Sequence, residues 1–199
     1  EYEHGAKLLE RLMLERRARF EKENPGKKYK EVSKPDTTVM SEPPEGWCWC
    51  SLEQLIEELR QGKSPKCENR NVESDDVWAV IKTSAIQPME FLPFENKILP
   101  ESFDVSEKWV INENDLLITR AGPRSRCAIS CVVRKTKEKL MLCDKSYALS
   151  FPSDFVHVEY IEKLLNSPVY LHVIEKMKTG TSDSGLNITQ RRLKNMVVP

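Results

Sequence analysis

The spacing of apolar residues changes period several times along the chain, and those changes divide it into elements. From 5 to 23, GAKLLERLMLERRARFEKE, Leu9, Met13 and Phe20 recur at helical spacing with Arg16 at the intervening position. Leu8 and Leu12 widen the stripe. The pattern predicts an amphipathic helix of about 28 Å, at 1.5 Å per residue, ended by Pro25-Gly26. The stripe must be covered by a partner helix or by the chain's own domain, and the partner is the expectation. Residues 30–46 carry Pro35, Pro43 and Pro44 and little apolar content, which reads as a linker. SLEQLIEELRQGKSP predicts a second helix. Ser51 and Gln54 suit a capping box, Leu52, Leu55, Ile56 and Leu59 a buried face, and Gly62 the C-terminal cap.

From 77 to 151 the pattern becomes short apolar runs between polar turns: 77–81, 110–111, 116–119, 127–133, 140–143 and 147–151. RKTKEK, 134–139, reads as a hairpin tip. Helical spacing returns at Val158, Ile161, Leu164 and Leu165. Ser167-Pro168 then marks a new helix carrying Val169, Val173, Ile174 and Met177, with Thr179-Gly180 at its end. Residues 181–185 are a flexible polar loop. The fold class expected is α+β, a mixed or antiparallel twisted sheet with packed helices, preceded by a long amphipathic helix. The segments expected are a helix over 1–28, a linker over 29–45 and a domain over 46–199.

The 199 residues suit one large or two small domains. No apolar run reaches the roughly twenty residues of a membrane span. The sequence lacks an initial Met and a signal peptide, so it reads as an excerpt of a longer chain, with the cytoplasm as the expected location. Cys48 and Cys50 flank Trp49 in an apolar run, while Cys127, Cys131 and Cys143 lie in or beside apolar strands. Their C-x-C and C-x3-C spacings do not supply the paired C-x2-C usual for zinc, so the cysteines read as core residues and no metal site is expected.

The net charge of zero conceals a division. Residues 33–118 hold 8 basic and 17 acidic groups, residues 119–146 hold 8 and 2, and residues 174–199 hold 5 and 2. Either the acidic and basic segments face each other in the fold, or the basic ones meet an external polyanion. The question is sharpest at NDLLITRAGPRSR, where Arg120, Arg124 and Arg126 crowd a Gly-Pro turn after an apolar strand. Catalytic chemistry is harder to find. Neither G-x-x-x-x-G-K nor G-x-G-x-x-G occurs, no serine sits in G-x-S-x-G, and His157-Val158-Glu159 has no Pro-Cys-x-x-Cys after it. The chain reads as a binder without catalytic residues.

Four stretches, in this order, carry a resemblance: ERRARFEKENPGKKYK, PPEGWCWCSLEQL, INENDLLITRAG and GTSDSGLNITQRRLKNMVVP. Together they resemble a specificity subunit of a type I restriction-modification system, namely one target recognition domain preceded by the tail of a spacer helix. Where that family often has Gly-Asp before the apolar strand, this chain has Asn114-Asp115, and Asn tolerates the same left-handed turn. The resemblance implies sequence-specific, non-catalytic recognition of double-stranded DNA at a split target. Methylation and restriction subunits are the implied partners. S-adenosylmethionine would belong to the methylation subunit, and no cofactor to this chain. It implies DNA contacts from loops 63–66, 120–126 and 179–185: Lys63, Ser64, Lys66, Arg120, Gly122, Arg124, Arg126, Thr179, Gly180, Thr181 and Ser182, with Lys145 at a strand edge. Leu9, Met13 and Phe20 would meet a partner helix. Two alternatives stand beside it: the recognition part of a single-chain DNA methyltransferase, and a protein-interaction module with no DNA role. EPPEG is not the Asn/Asp-Pro-Pro-aromatic motif expected of the first.

Overall fold

Gly5–Glu23 folds as the helix its spacing predicts, in a computed structural model that describes residues 3–199. The elements, in chain order, are α1 (Gly5–Glu23), β1 (Cys50–Ser51), α2 (Leu52–Leu55), β2 (Glu58–Gln61), β3 (Ala79–Ile81), β4 (Ile86–Gln87) and β5 (Glu90–Phe91). Then come β6 (Asn96–Ile98), β7 (Leu116–Thr119), β8 (Ala121–Gly122), β9 (Ser130–Val132), β10 (Leu140–Met141) and β11 (Ser146–Ser150). The chain closes with α3 (Val158–Leu165), α4 (Pro168–Met177), β12 (Leu186–Asn187), α5 (Gln190–Lys194) and β13 (Val197–Val198). This is the α+β mixture expected. The chain forms two compact units, one running to Ile56 and including Gln190–Pro199, the other Glu57–Thr189.

In the first unit β1 pairs antiparallel with β13, bringing Cys50 opposite Val198. Residues 46–56 and 190–199, the two ends of the segment expected as one domain, lie in this unit with α1. The helical stripe is covered there. Leu12 is 5% exposed, and Leu8, Leu9, Met13, Arg16 and Phe20 are half-buried. Arg16 donates to the Glu53 carbonyl at 2.8 Å, and the Phe20 ring lies 5.4 Å from that of Tyr29. The chain's own segments thus cover part of the stripe whose Leu9, Met13 and Phe20 are expected to meet a partner helix.

The second unit is built on an antiparallel sheet in the order β2-β11-β7-β9 and a mixed sheet in the order β10-β3-β6. In the latter, β10 runs parallel to β3. Every residue of β7 is buried, as a continuous apolar run demands when both faces are covered. Leu117, Cys131 and Ala148 of the larger sheet share one core with Val80, Ile81, Leu140 and Met141 of the smaller. Asn96 is wholly buried and satisfied, its side chain bonding the Val72 N–H and the Val72 and Pro93 carbonyls. On α3, Ile161 and Leu165 are buried, and the buried Glu162 accepts from the Val132 N–H at 2.7 Å and pairs with Arg134.

Three local expectations are corrected. The helix expected from Ser51 to Gly62 lasts one turn. Gln54 does accept from the Ser51 N–H at 2.9 Å, but Ile56 is already extended and Glu58–Gln61 is a strand. Sheet pairing overrides the helical pattern, placing Leu59 opposite Leu149. Gly62 is accordingly no helix cap: a Cβ there would stand 1.9 Å from the Leu142 carbonyl oxygen. Residues 134–139 are not a hairpin tip, since β9 pairs with β7 while β10 pairs with β3. Within that stretch Lys137 is buried and donates to the Val77 and Lys139 carbonyls. On α4 the cap is as expected, Ser167 accepting from the Tyr170 N–H, but the buried row is Tyr170 and Ile174, leaving Val169 69% exposed and Val173 exposed as well.

Candidate nucleic-acid interface

Strand direction gathers the candidate loops. β2 and β7 both run antiparallel to β11, so their C-terminal ends lie beside its start: Gln61 faces Tyr147, and Thr119 faces Ser146. The segments after β2 and β7 and the residue before β11 therefore emerge at one end of the sheet. β8 then pairs with β12, setting Gly122 opposite Leu186 and joining the 179–187 segment to the same end. The four separate stretches of sequence that carry the twelve residues expected to face DNA thus leave the sheet at this end.

Main-chain bonds fix the loops more than side chains do. Lys63 N–H donates to the Leu142 carbonyl at 3.2 Å, and Arg120 N–H to the Lys145 carbonyl at 2.8 Å. Ser64 Oγ donates to Asp144 at 2.6 Å and accepts from its N–H at 3.1 Å. Thr179 and Asn187 exchange two backbone bonds of 2.8 Å, which folds 180–186 into a closed loop. Gly180 is required there: its φ is +139°, and a Cβ would meet the Gly185 carbonyl at 2.7 Å. Asn114, ahead of β7, has φ 68°, the left-handed turn its Asn-Asp pair was expected to tolerate.

The basic side chains differ in what holds them. Lys66 and Lys145 are exposed, as are Thr181 and Ser182. The Lys63 ammonium lies 5.8 Å and 5.7 Å from the Phe103 and Trp109 ring centres, which stack on one another at 5.9 Å. The Arg120 guanidinium lies 6.0 Å from the Tyr147 ring, and its buried Nε has no hydrogen-bond partner among the described residues. Arg124 is held by Asp183, at 3.0 Å and 2.8 Å, and by Glu175. Lys178 donates to the Arg124 carbonyl at 3.0 Å and pairs with Glu175 at 2.7 Å. These partners push the Arg124 guanidinium up, Asp183 most, while Lys178 and then Arg124 hold the Glu175 carboxyl below the ordinary glutamate range. Arg126 turns into the protein, donating to the carbonyls of Thr83 at 2.6 Å and Ile86 at 3.1 Å and to Gln87 Oε1 at 3.1 Å.

The three arginines thus have three different neighbourhoods. Acidic side chains of the protein neutralise Arg124, the first of the two answers to their crowding. Phe103, Trp109, Asp144, Glu175, Lys178 and Asp183 line this surface, with the buried Tyr147 beneath Arg120, and none was singled out from the sequence. Only the Glu175–Lys178 pair had a local signal, its i,i+3 spacing. All six cysteines are free, and burial pushes the Cys50 and Cys131 thiols up to about 12. Among the described residues, no group of three or more His, Cys, Asp or Glu side chains is arranged to hold a metal, and no helix is long and apolar enough to cross a membrane.

A curated relative is 34% identical over 186 residues, 94% of this chain: the type I restriction enzyme EcoEI specificity subunit of Escherichia coli. The chain is a relative of the type I restriction-modification specificity subunits. It spans about 30% of the length of that curated relative. A solved structure, described as the structural basis of complex assembly and conformational transition of the type I R-M system, aligns over 97% of this chain and 40% of its own. At 18% identity and a TM-score of 0.51, that likeness is one of fold. The S subunit of a type I restriction-modification system from M. genitalium aligns over 75% of this chain and 33% of its own, at 11% identity and a TM-score of 0.47. No family model matches the chain.

Proposed function

We propose that this chain recognises one part of a split sequence in double-stranded DNA and directs methylation and restriction subunits to it, without catalysis of its own. The observation that supports this reading most is the gathering of loops 63–66, 120–126 and 179–185, with Lys145, at one end of a rigid sheet in a relative of the specificity subunits. Loops on a rigid scaffold suit recognition, because their side chains vary without disturbing the core. Lys63, Lys66, Arg120 and Lys145 supply phosphate contacts in this reading, and base edges are read from the same loops. Ser64, Gly122, Thr179, Gly180, Thr181 and Ser182 shape the surface and add neutral contacts. Arg126 holds residues 83–87 against the arginine loop and acts through them. Any S-adenosylmethionine is bound by the methylation subunit, and the assembly works in the cytoplasm.

A salt titration of duplex binding tests the reading. Neutralised phosphates release counterions, so log affinity falls with log salt by about 0.9 for each contact. We expect a steep slope for the whole chain, reduced by about one in Lys145→Ala and in Arg120→Ala. A chain that binds no duplex, or binds with no dependence on salt, would leave the protein-interaction reading in its place.

A further inference from the structure

Arg124 stands on the proposed DNA surface, but two carboxylates from distant parts of the sequence already occupy its guanidinium. Asp183 accepts from both Nε and Nη2, while Glu175 on α4 accepts from Nη1. Lys178 fastens the arrangement from below, with its ammonium on both the Arg124 carbonyl and Glu175. The Arg124 N–H also donates to the Asp183 carbonyl at 2.8 Å, so the two loops are tied by main chain as well. Arg124 is half-exposed and Asp183 is 80% exposed. Ion pairs as wet as these are weak and exchange readily. A phosphate brought to this place can take the guanidinium, but it must displace a carboxylate and stand beside another.

Resting on the reading above, we propose that Asp183 and Glu175 are specificity-determining residues: a carboxylate clamp that withholds Arg124 from the phosphates of non-target DNA. A non-specific complex is held by phosphate contacts alone. It gains little by opening the clamp, because the phosphate that replaces Asp183 faces Glu175 as a like charge. A target complex is seated closely by base contacts from the neighbouring loops, and that proximity favours the exchange. The clamp therefore lowers binding to arbitrary sequence more than binding to the target, and widens the ratio between them.

The test is a salt titration of the whole chain on a random-sequence duplex of fixed length. It compares wild type, Asp183→Asn, Glu175→Gln and their double variant, each also in an Arg124→Ala background. Asp183→Asn and Glu175→Gln should each tighten binding by about fivefold, the scale of one surface ion pair. The double variant should steepen the salt slope by about one, the signature of an added phosphate contact. In the Arg124→Ala background the steepening should vanish. Equal tightening with and without Arg124, at unchanged slope, would mean that the carboxylates act only as general negative charge, and the clamp would be wrong. No effect of either substitution, in a chain whose wild type binds with a steep slope, would overturn the clamp and leave the DNA reading standing. A wild-type chain with no salt-dependent binding would overturn both.

Discussion

Arg60 and Asp115 form an ion pair inside the larger sheet, one on β2 and the other immediately ahead of β7, both almost wholly buried. Each partner makes one further bond, although the buried Arg60 Nε has no hydrogen-bond partner among the described residues. Arg60 donates to the Val110 carbonyl at 2.6 Å, and Asp115 accepts from the Asn112 N–H at 2.7 Å. Burial pushes the Asp115 carboxyl up, against the opposing pull of the Asn112 N–H and Arg60. Two strands that never pair with each other are joined this way across β11.

Breaking that pair from one side should be costly. Arg60→Met leaves a buried carboxylate alone, and we expect a loss of about 3–5 kcal/mol in chemical denaturation. Arg60→Met with Asp115→Leu removes both charges and should recover most of it. A double variant as unstable as the single one would mean that Arg60 acts through its stem and its bond to Val110.

Leu12 tests what covers α1. Leu12→Ala should destabilise the isolated chain by about 2–5 kcal/mol, the usual range for a buried leucine. Hydrogen exchange in 5–23 and 46–56 should quicken as well. Unchanged stability and exchange in the isolated chain would return the stripe to an external partner.

Arg126 separates scaffold from contact. Arg126→Ala removes three donated hydrogen bonds to residues 83–87. It should cost about 1.5–3 kcal/mol of stability, the scale for bonds from a charged group. The salt slope on duplex DNA should stay as in wild type. A slope lower by one, at unchanged stability, would place the guanidinium on a phosphate.

The Glu175 contact has a defined pH sense. Its folded value lies below the ordinary one, so its contribution is fully present above the ordinary glutamate range and is lost as pH falls through the lower, folded value. Hydrogen exchange in 178–187, corrected for intrinsic rates, should show opening of this loop on acidification through that window. In Glu175→Gln the same window should be flat. Identical profiles for the two chains would detach the loop from this carboxyl.

Several elements were legible because their cause is local. The α1 stripe, the buried run of β7 and the Ser167-Pro168 start of α4 each depend on near neighbours in sequence. Residues 56–62 were misread because Leu59 and Arg60 answer to Leu149 and Asp115, about ninety and fifty-five positions away, rather than to a helical face. The basic character of the candidate surface could be read from charge, and its loops from turn residues. What each cation holds could not: Arg124 finds Glu175 and Asp183, and Lys63 finds Phe103 and Trp109, only through strand order. Arg126, expected beside Arg124 on the DNA face, bonds residues 83–87 instead, while Arg124 meets Glu175 and Asp183.

At Gly62 the main chain passes so close to Leu142 that no other residue fits without movement. A practical rule for redesign comes from that contact. The direction in which Lys63–Lys66 leave the sheet is set by two backbones touching, and beyond that point Ser64 is tied back through Asp144. A library that randomises 63, 65 and 66 with Gly62 and Ser64 held constant should therefore yield mostly folded members, differing in the surface they present rather than in the frame that presents it. The glycine and Ser64 are the fixed mount, and the residues around them are the interchangeable part.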